Sequence, residues 1–230
     1  SSEATAGDVV LNVGSSGSTT SGTMQISGGD NTGSSVGGIV IVESGSSVSS
    51  SSGDLSLGTA SVSNKNGDSG SINIGTGETS VMNSGELRIA TGNSGVSGGN
   101  IEVEAGNGIS GEGGDLSLSA GNGPVGGSVE IFSGSSTDVS SGGVVVGSSS
   151  VTGRSGTSGS VVIETGVSSG AASGSIALKS GSNSKSAGEI TIVAGSSDEN
   201  DGGEILVQAG HSTGSSTGGN VVVASGSSVT

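Results

Sequence analysis

The 230-residue chain has no cysteine, tryptophan or tyrosine, and only one phenylalanine, one proline and one histidine. Each scarcity removes a class of chemistry. Without cysteine there is no disulfide framework, no thiolate metal site and no sign of redox compartment. With His211 the only imidazole, a nucleophilic serine lacks a base to activate it, which argues against a serine hydrolase. His211 lies in a Ser/Thr-rich stretch and reads as a solvated residue. The missing aromatics leave no platforms for sugar rings, which weighs against glycosidases built on paired carboxylates. They also leave too few large side chains for an ordinary globular core. Bases are scarce as well: 5 Lys and Arg face 20 Asp and Glu, for a formal charge of −15. Such a chain is not expected to seek nucleic acid or an anionic membrane surface. No apolar run approaches the length of a membrane span, so membrane insertion is not expected. The sequence points away from an enzyme.

Glycine is abundant, with 50 residues, and serine accompanies it throughout. Gly/Ser richness without a period would read as flexible linker. Here a period overrides that reading. The stretch Gly99-Asn100-Ile101-Glu102-Val103-Glu104-Ala105-Gly106 recurs about every fifteen residues as Gly, any, aliphatic, any, aliphatic, any, small, Gly. The opening glycines are Gly7, Gly22, Gly38, Gly53, Gly70, Gly85, Gly99, Gly114, Gly127, Gly142, Gly159, Gly174, Gly188, Gly203 and Gly219, which makes fifteen units. Position three is aliphatic in every unit except for Met24, and position five is always Val, Leu or Ile. These positions are two apart and share one face of an extended chain. Position seven is small, Val13 excepted. Position eight is glycine in thirteen units, with Ala60 and Ser149 the departures. Glycine there suits a corner that needs positive φ or close backbone approach. Positions four and six share no chemistry, as expected of a solvated side.

This pattern predicts an all-β fold: a β-solenoid, or parallel β-helix, of fifteen repeats of about fifteen residues. Two repeats per coil would let two apolar segments face each other. Rows of Ser and Thr hydroxyls are expected to bond along the stack. Residues 1–230 read as one continuous array. With no polar capping unit at either end, it is expected to be a segment of a longer array or to meet other copies. Pro124 falls in a spacer and not in a unit, as a ladder would require. Asn64-Lys65-Asn66-Gly67-Asp68 reads as a turn. Residues 142–158 read as a local fault, a bend or an outward loop.

The candidate site residues are acidic. Glu102, Glu104 and Glu130 occupy even positions of their units and point outward on this reading. Asp198, Glu199, Asp201 and Glu204 cluster around one spacer and are the candidates for a metal site, with calcium the cation that takes several oxygen ligands. The competing reading is a solvated acidic surface. It is favoured because no spacing matches an EF-hand, and Gly113-Gly114-Asp115-Leu116 matches only a fragment of the calcium-binding nonapeptide. The recurring glycines are not a phosphate loop, since no lysine follows them.

The runs Gly-Gly-Asp-Leu-Ser-Leu-Ser-Ala-Gly (113–121), Gly-Ser-Ile-Ala-Leu-Lys-Ser-Gly (174–181) and Gly-Gly-Asn-Val-Val-Val-Ala-Ser-Gly (218–226) resemble the Gly/Ser-rich repeats of extracellular and cell-wall proteins of diatoms and related algae. The resemblance covers almost the whole chain. It implies an extracellular or cell-surface location and a structural role in a filament, surface or wall. The partners it implies are other copies of the chain, end to end or laterally, with extracellular polysaccharide or mineral also open. The alternative is a binding module that uses one face for calcium, mineral, carbohydrate or ice. Ice binding lacks its usual outward Thr-x-Thr rows here.

Overall fold

The computed structural model describes residues 6–17, 20–63, 67–153 and 155–227. The chain divides into two parts, Ser1–Leu116 and Ser117–Thr230. Each carries the same repeat. Every eight-residue unit runs without a bend, and every described bend falls in a spacer. Side-chain alternation follows. Glu189 and Thr191, at positions two and four of one unit, lie on one side, where the Thr191 hydroxyl donates to Glu189 Oε1 at 2.6 Å.

The expected all-β fold is not formed. Among the described residues there is neither helix nor strand, so the chain is not a β-solenoid and has no coil of two repeats. The reason lies in where the backbone bonds go. Among the described residues eight joins between units carry a main-chain hydrogen bond, and each has one form: the opening glycine N–H donates to the closing glycine C=O of the preceding unit. Gly53 to Gly45, Gly114 to Gly106 and Gly142 to Gly134, all 2.9 Å, are typical. These bonds close a unit's own spacer. Positions two to six make no backbone–backbone bond among the described residues, whereas a ladder would engage nearly all of them. A compact fold carries roughly one internal hydrogen bond per residue, and eight main-chain bonds fall far short.

The surface area gives the same result. The chain exposes 22944 Å². A compact chain of 21.1 kDa would expose roughly 9,000 Å² and an unfolded one roughly 31,000 Å². No described residue is buried. Gly28, Ala105, Ala120, Ala194, Ala209 and Ser212 are half-buried. All but Ser212 sit at position seven.

Those small residues have a specific neighbour. A Cβ placed on the opening glycine of twelve units would lie 3.2–3.6 Å from the nearest atom of the preceding unit's closing residues, in nearly every case the position-seven side chain: Ala105 for Gly114, Thr76 for Gly85, Ser180 for Gly188. At Gly22 the neighbour is Val13, and at Gly38 it is the backbone of Gly28 and Gly29. Positions seven, eight and one therefore form a pinch. Its constraints explain why position one is glycine and position seven is small. The closing glycines differ from expectation. None has positive φ, and a Cβ on any of the thirteen would meet nothing within 4 Å. The close approach belongs to the opening glycine instead.

The spacers reveal a second period. Successive opening glycines are spaced 15, 16, 15, 17, 15, 14, 15, 13, 15, 17, 15, 14, 15 and 16 residues apart. Every odd join is constant and every even join varies, so units come in pairs. In the odd joins the bend falls at the same place: 48–50, 80–82, 109–111, 137–139, 169–171 and 198–200. A hydroxyl two residues into the spacer holds five of these bends, accepting from the amide three residues on. The pairs are Ser47 with Ser50 (3.0 Å), Thr79 with Met82 (3.3 Å), Ser136 with Val139 (3.2 Å), Ser168 with Ala171 (3.2 Å) and Ser197 with Asn200 (3.0 Å). This is the ST-turn, which a hydroxyl offers as a local alternative to regular structure. Gly108 takes the hydroxyl's place in the remaining bend, where a Cβ would collide with the carbonyl oxygens of Gly111 and Glu112. The hydroxyls thus bond within their own turns, not in rows along a stack.

The even joins fall into length classes. The eight-residue spacers 30–37 and 211–218 share Thr-Gly-Ser-Ser and bend at 33–35 and 214–216. The nine-residue spacers 61–69 and 150–158 share Ser-Val, and Gly67 and Gly156 pack toward Val62 and Val151 in corresponding fashion. Gly156 has φ +148°, a conformation open to glycine. Both follow the two units that lack a closing glycine, Ala60 and Ser149 standing there. The spacer 150–158 of the apparent fault thus matches the spacer 61–69 in length and in these described contacts. The turn read at 64–68 falls partly outside the described residues, since these omit Asn64, Lys65 and Asn66.

Removing one turn hydroxyl should act locally. Ser136→Ala frees the amides of Asp138 and Val139, which both bond to Ser136 Oγ. The expected loss is about 0.5–1.5 kcal/mol. It should appear as faster hydrogen exchange at Val139, with the amide of Ala171 in the next such turn unchanged.

Candidate functional site

The acidic candidates do not converge. Asp198 and Glu199 lie in the bend that Ser197 holds, Asp201 follows it, and Glu204 is the second residue of the next unit. All four are exposed. Among the described residues no group of three or more His, Asp or Glu side chains is placed to hold a metal ion. The local backbone explains this. Ser197 and the Gly203 to Gly195 bond of 2.8 Å fix the turn, but they bring no second acidic segment to it. Glu102, Glu104 and Glu130 are exposed too. His211 opens the spacer 211–218, exposed, beside half-buried Ser212.

No cavity is formed among the described residues. No helix there is long and apolar enough to cross a membrane. Among the described residues no nucleophile, base and acid share one enclosed place.

The recurrent surface is apolar. Position-three side chains expose 49–57% of their area, Val9 apart, and position-five side chains expose 62–75%, Val223 apart. The narrow ranges show that each unit repeats one environment. Ile101 with Val103, Leu116 with Leu118 and Ile190 with Ile192 are typical pairs, each on the face opposite the charged even positions. Monomeric soluble proteins rarely leave apolar patches larger than a few hundred Å² uncovered. The i, i+2 pattern identified this face but implied that the chain would cover it. The pinch and the paired units were not anticipated. Their signals were the alternation of constant and variable spacing and the Ser or Thr two residues into each odd spacer but one.

Comparison with known protein families, with curated proteins and with solved structures finds no match.

Proposed function

We propose that the protein is a structural component of an extracellular filament, cell surface or wall, and that other copies of the chain cover its repeated apolar face. The observation that carries this reading is the set of fifteen apolar pairs, thirteen of them in the same environment and none buried within the chain. A protein that presents one surface many times gains by multivalency, since each added contact becomes intramolecular once the first has formed. Units of low individual affinity then hold an assembly. The exposed position-four and position-six residues vary freely and ask for no single ligand. The Gly/Ser-rich repeat resembles those of extracellular proteins, and without cysteine an assembly of this kind is stabilised by number rather than by cross-links.

Sedimentation velocity over a dilution series tests the reading, with electron microscopy of the associated material. Multi-copy species that grow with concentration are expected, and elongated assemblies in the micrographs. A single monomeric species at every concentration, at physiological salt, would sink it.

A further inference from the structure

We infer that the copies meet side by side, parallel and in register, and that the spacer lengths encode that register. The inference rests on the self-association proposed above and adds its geometry.

The spacers of the even joins are 8, 9, 6, 5, 9, 6 and 8 residues long, from 30–37 to 211–218. In an in-register parallel pair every spacer lies beside its equal, and every aliphatic pair lies beside the same pair of the neighbour. Run antiparallel with the first unit against the last, every even join opposes a seven-residue odd-join spacer, so every join is mismatched by one or two residues. Shifted by one unit so that even joins face each other, the order becomes 8, 6, 9, 5, 6, 9, 8, and four of the seven even joins oppose spacers differing by three residues. A parallel offset of two units misaligns every even join by one to four residues. An offset of six units, 92 residues from Gly7 to Gly99, restores the nine- and six-residue spacers but sets an eight-residue spacer against a five. A slip of one residue turns the aliphatic pair of a straight segment to the opposite side. Only zero offset keeps all fifteen pairs matched.

Three further observations support a second copy as the occupant. The unused N–H and C=O groups of positions two to six recur at the same intervals only in another copy of this chain. Unpaired edge groups of this kind are templates for pairing with another chain. The exposed area exceeds that of a compact chain by roughly 14,000 Å², whereas a stable interface needs about 1,200–2,000 Å². A neighbour on more than one side is therefore accommodated. The pinches also keep every spacer closed on itself, so spacer length is read as a fixed step along the chain.

In-register pairing sets each acid beside its equal, and the chain carries a charge of −15. Association is therefore expected to strengthen as salt screens these like charges.

The chain lacks cysteine, so single nitroxide labels are placed cleanly. Ser56→Cys, Ser117→Cys and Ala177→Cys all fall at position four, away from the aliphatic positions. Labelled full-length chains are associated at raised salt, with association confirmed by sedimentation. In-register neighbours lie about 5 Å apart. Each singly labelled sample should then lose its central line to spin–spin broadening, and dilution with unlabelled chain should restore it. A mixture of chains labelled at Ser56→Cys and at Ala177→Cys should show no broadening beyond that of each label diluted to the same extent. Broadening in that mixture, with same-site broadening only at Ser117→Cys, would mean antiparallel pairing and overturn the inference. So would broadening between labels at Ser56→Cys and Val145→Cys, which marks the six-unit offset. If association persists with either pattern, the register is wrong and self-association stands. A chain that stays monomeric by sedimentation overturns both.

Discussion

Replacing Ile101 and Val103 together by serine is expected to weaken self-association roughly thirty- to a hundredfold. The magnitude follows from the surface still available to cover. Full burial of an aliphatic side chain is worth about 1.5–3 kcal/mol. Ile101 and Val103 retain 54% and 67% of their area exposed, so a neighbouring copy gains roughly 2–3 kcal/mol by covering both. Each 1.4 kcal/mol is about tenfold in affinity. Serine already occupies many exposed positions of the units, and no contact that closes a spacer is removed. The control is Glu102→Ser with Glu104→Ser in the same unit, which changes the opposite face and removes two negative charges. That variant should associate as the parent does, or somewhat more tightly at low salt. Sedimentation velocity across a dilution series reads both. Equal weakening in the two variants would mean that any change to the unit disturbs association, and the apolar face would lose its special role.

The same two residues show how far the sequence could be read. The spacing of Ile101 and Val103, with Glu102 between them and Glu104 after, places the aliphatic side chains on one side of an extended segment, and in the structure no bend interrupts that segment. The pattern specifies a side but not what covers it. A periodic aliphatic face is compatible with a neighbouring coil of the same chain and with a neighbouring copy, since both present the same residues. The backbone of the described residues forms no such coil. The Gly114 to Gly106 bond closes the spacer between them, and the units stay unpaired. That bond was not visible as a pattern because glycine is present at both its ends for two different reasons. Gly106 faces open space, while Gly114 lies against Ala105. The turn hydroxyls were hidden by abundance. Serine fills the spacers so densely that Ser47 or Ser197 has no contrast with its neighbours, and its role emerges only when the odd joins are aligned with one another. For Asp198, Glu199, Asp201 and Glu204 the sequence showed proximity along the chain. A cation site needs ligands converging in space, and one turn displays its carboxylates outward without a second segment to complete the set.

Alanine substitutions along the glycines should give a graded result that tests the pinch itself. At Gly38 an added Cβ would stand 2.6 Å from the Gly29 nitrogen, so backbone must move and the 2.8 Å bond from Gly38 N–H to Gly29 O is lost. At Gly203 the new carbon would lie 3.2 Å from Ala194 Cβ and 3.3 Å from the nitrogen and oxygen of Gly195, a tighter fit than side chains ordinarily tolerate. At Gly53 the nearest atom is Ser44 Cβ at 3.6 Å, ordinary contact. At the closing glycine Gly134 nothing lies within 4 Å. The expected order of damage is therefore Gly38→Ala, then Gly203→Ala, with Gly53→Ala and Gly134→Ala near neutral or slightly favourable, because alanine restricts the open chain more than glycine does. Hydrogen exchange at the donor amide of each join provides the readout. Losing one such bond is worth about 0.5–1.5 kcal/mol, or roughly a two- to tenfold rise in exchange at residue 38 or 203. The loss should stay local, since the joins share no bonded groups. Pairing Gly203→Ala with Ala194→Gly returns space to the pinch and should recover part of the protection, a coupling that a double-mutant cycle isolates. Equal effects at Gly38 and Gly134 would show that glycine serves these positions through chain flexibility alone. The graded order would show that contact between positions seven and one fixes every step of the repeat.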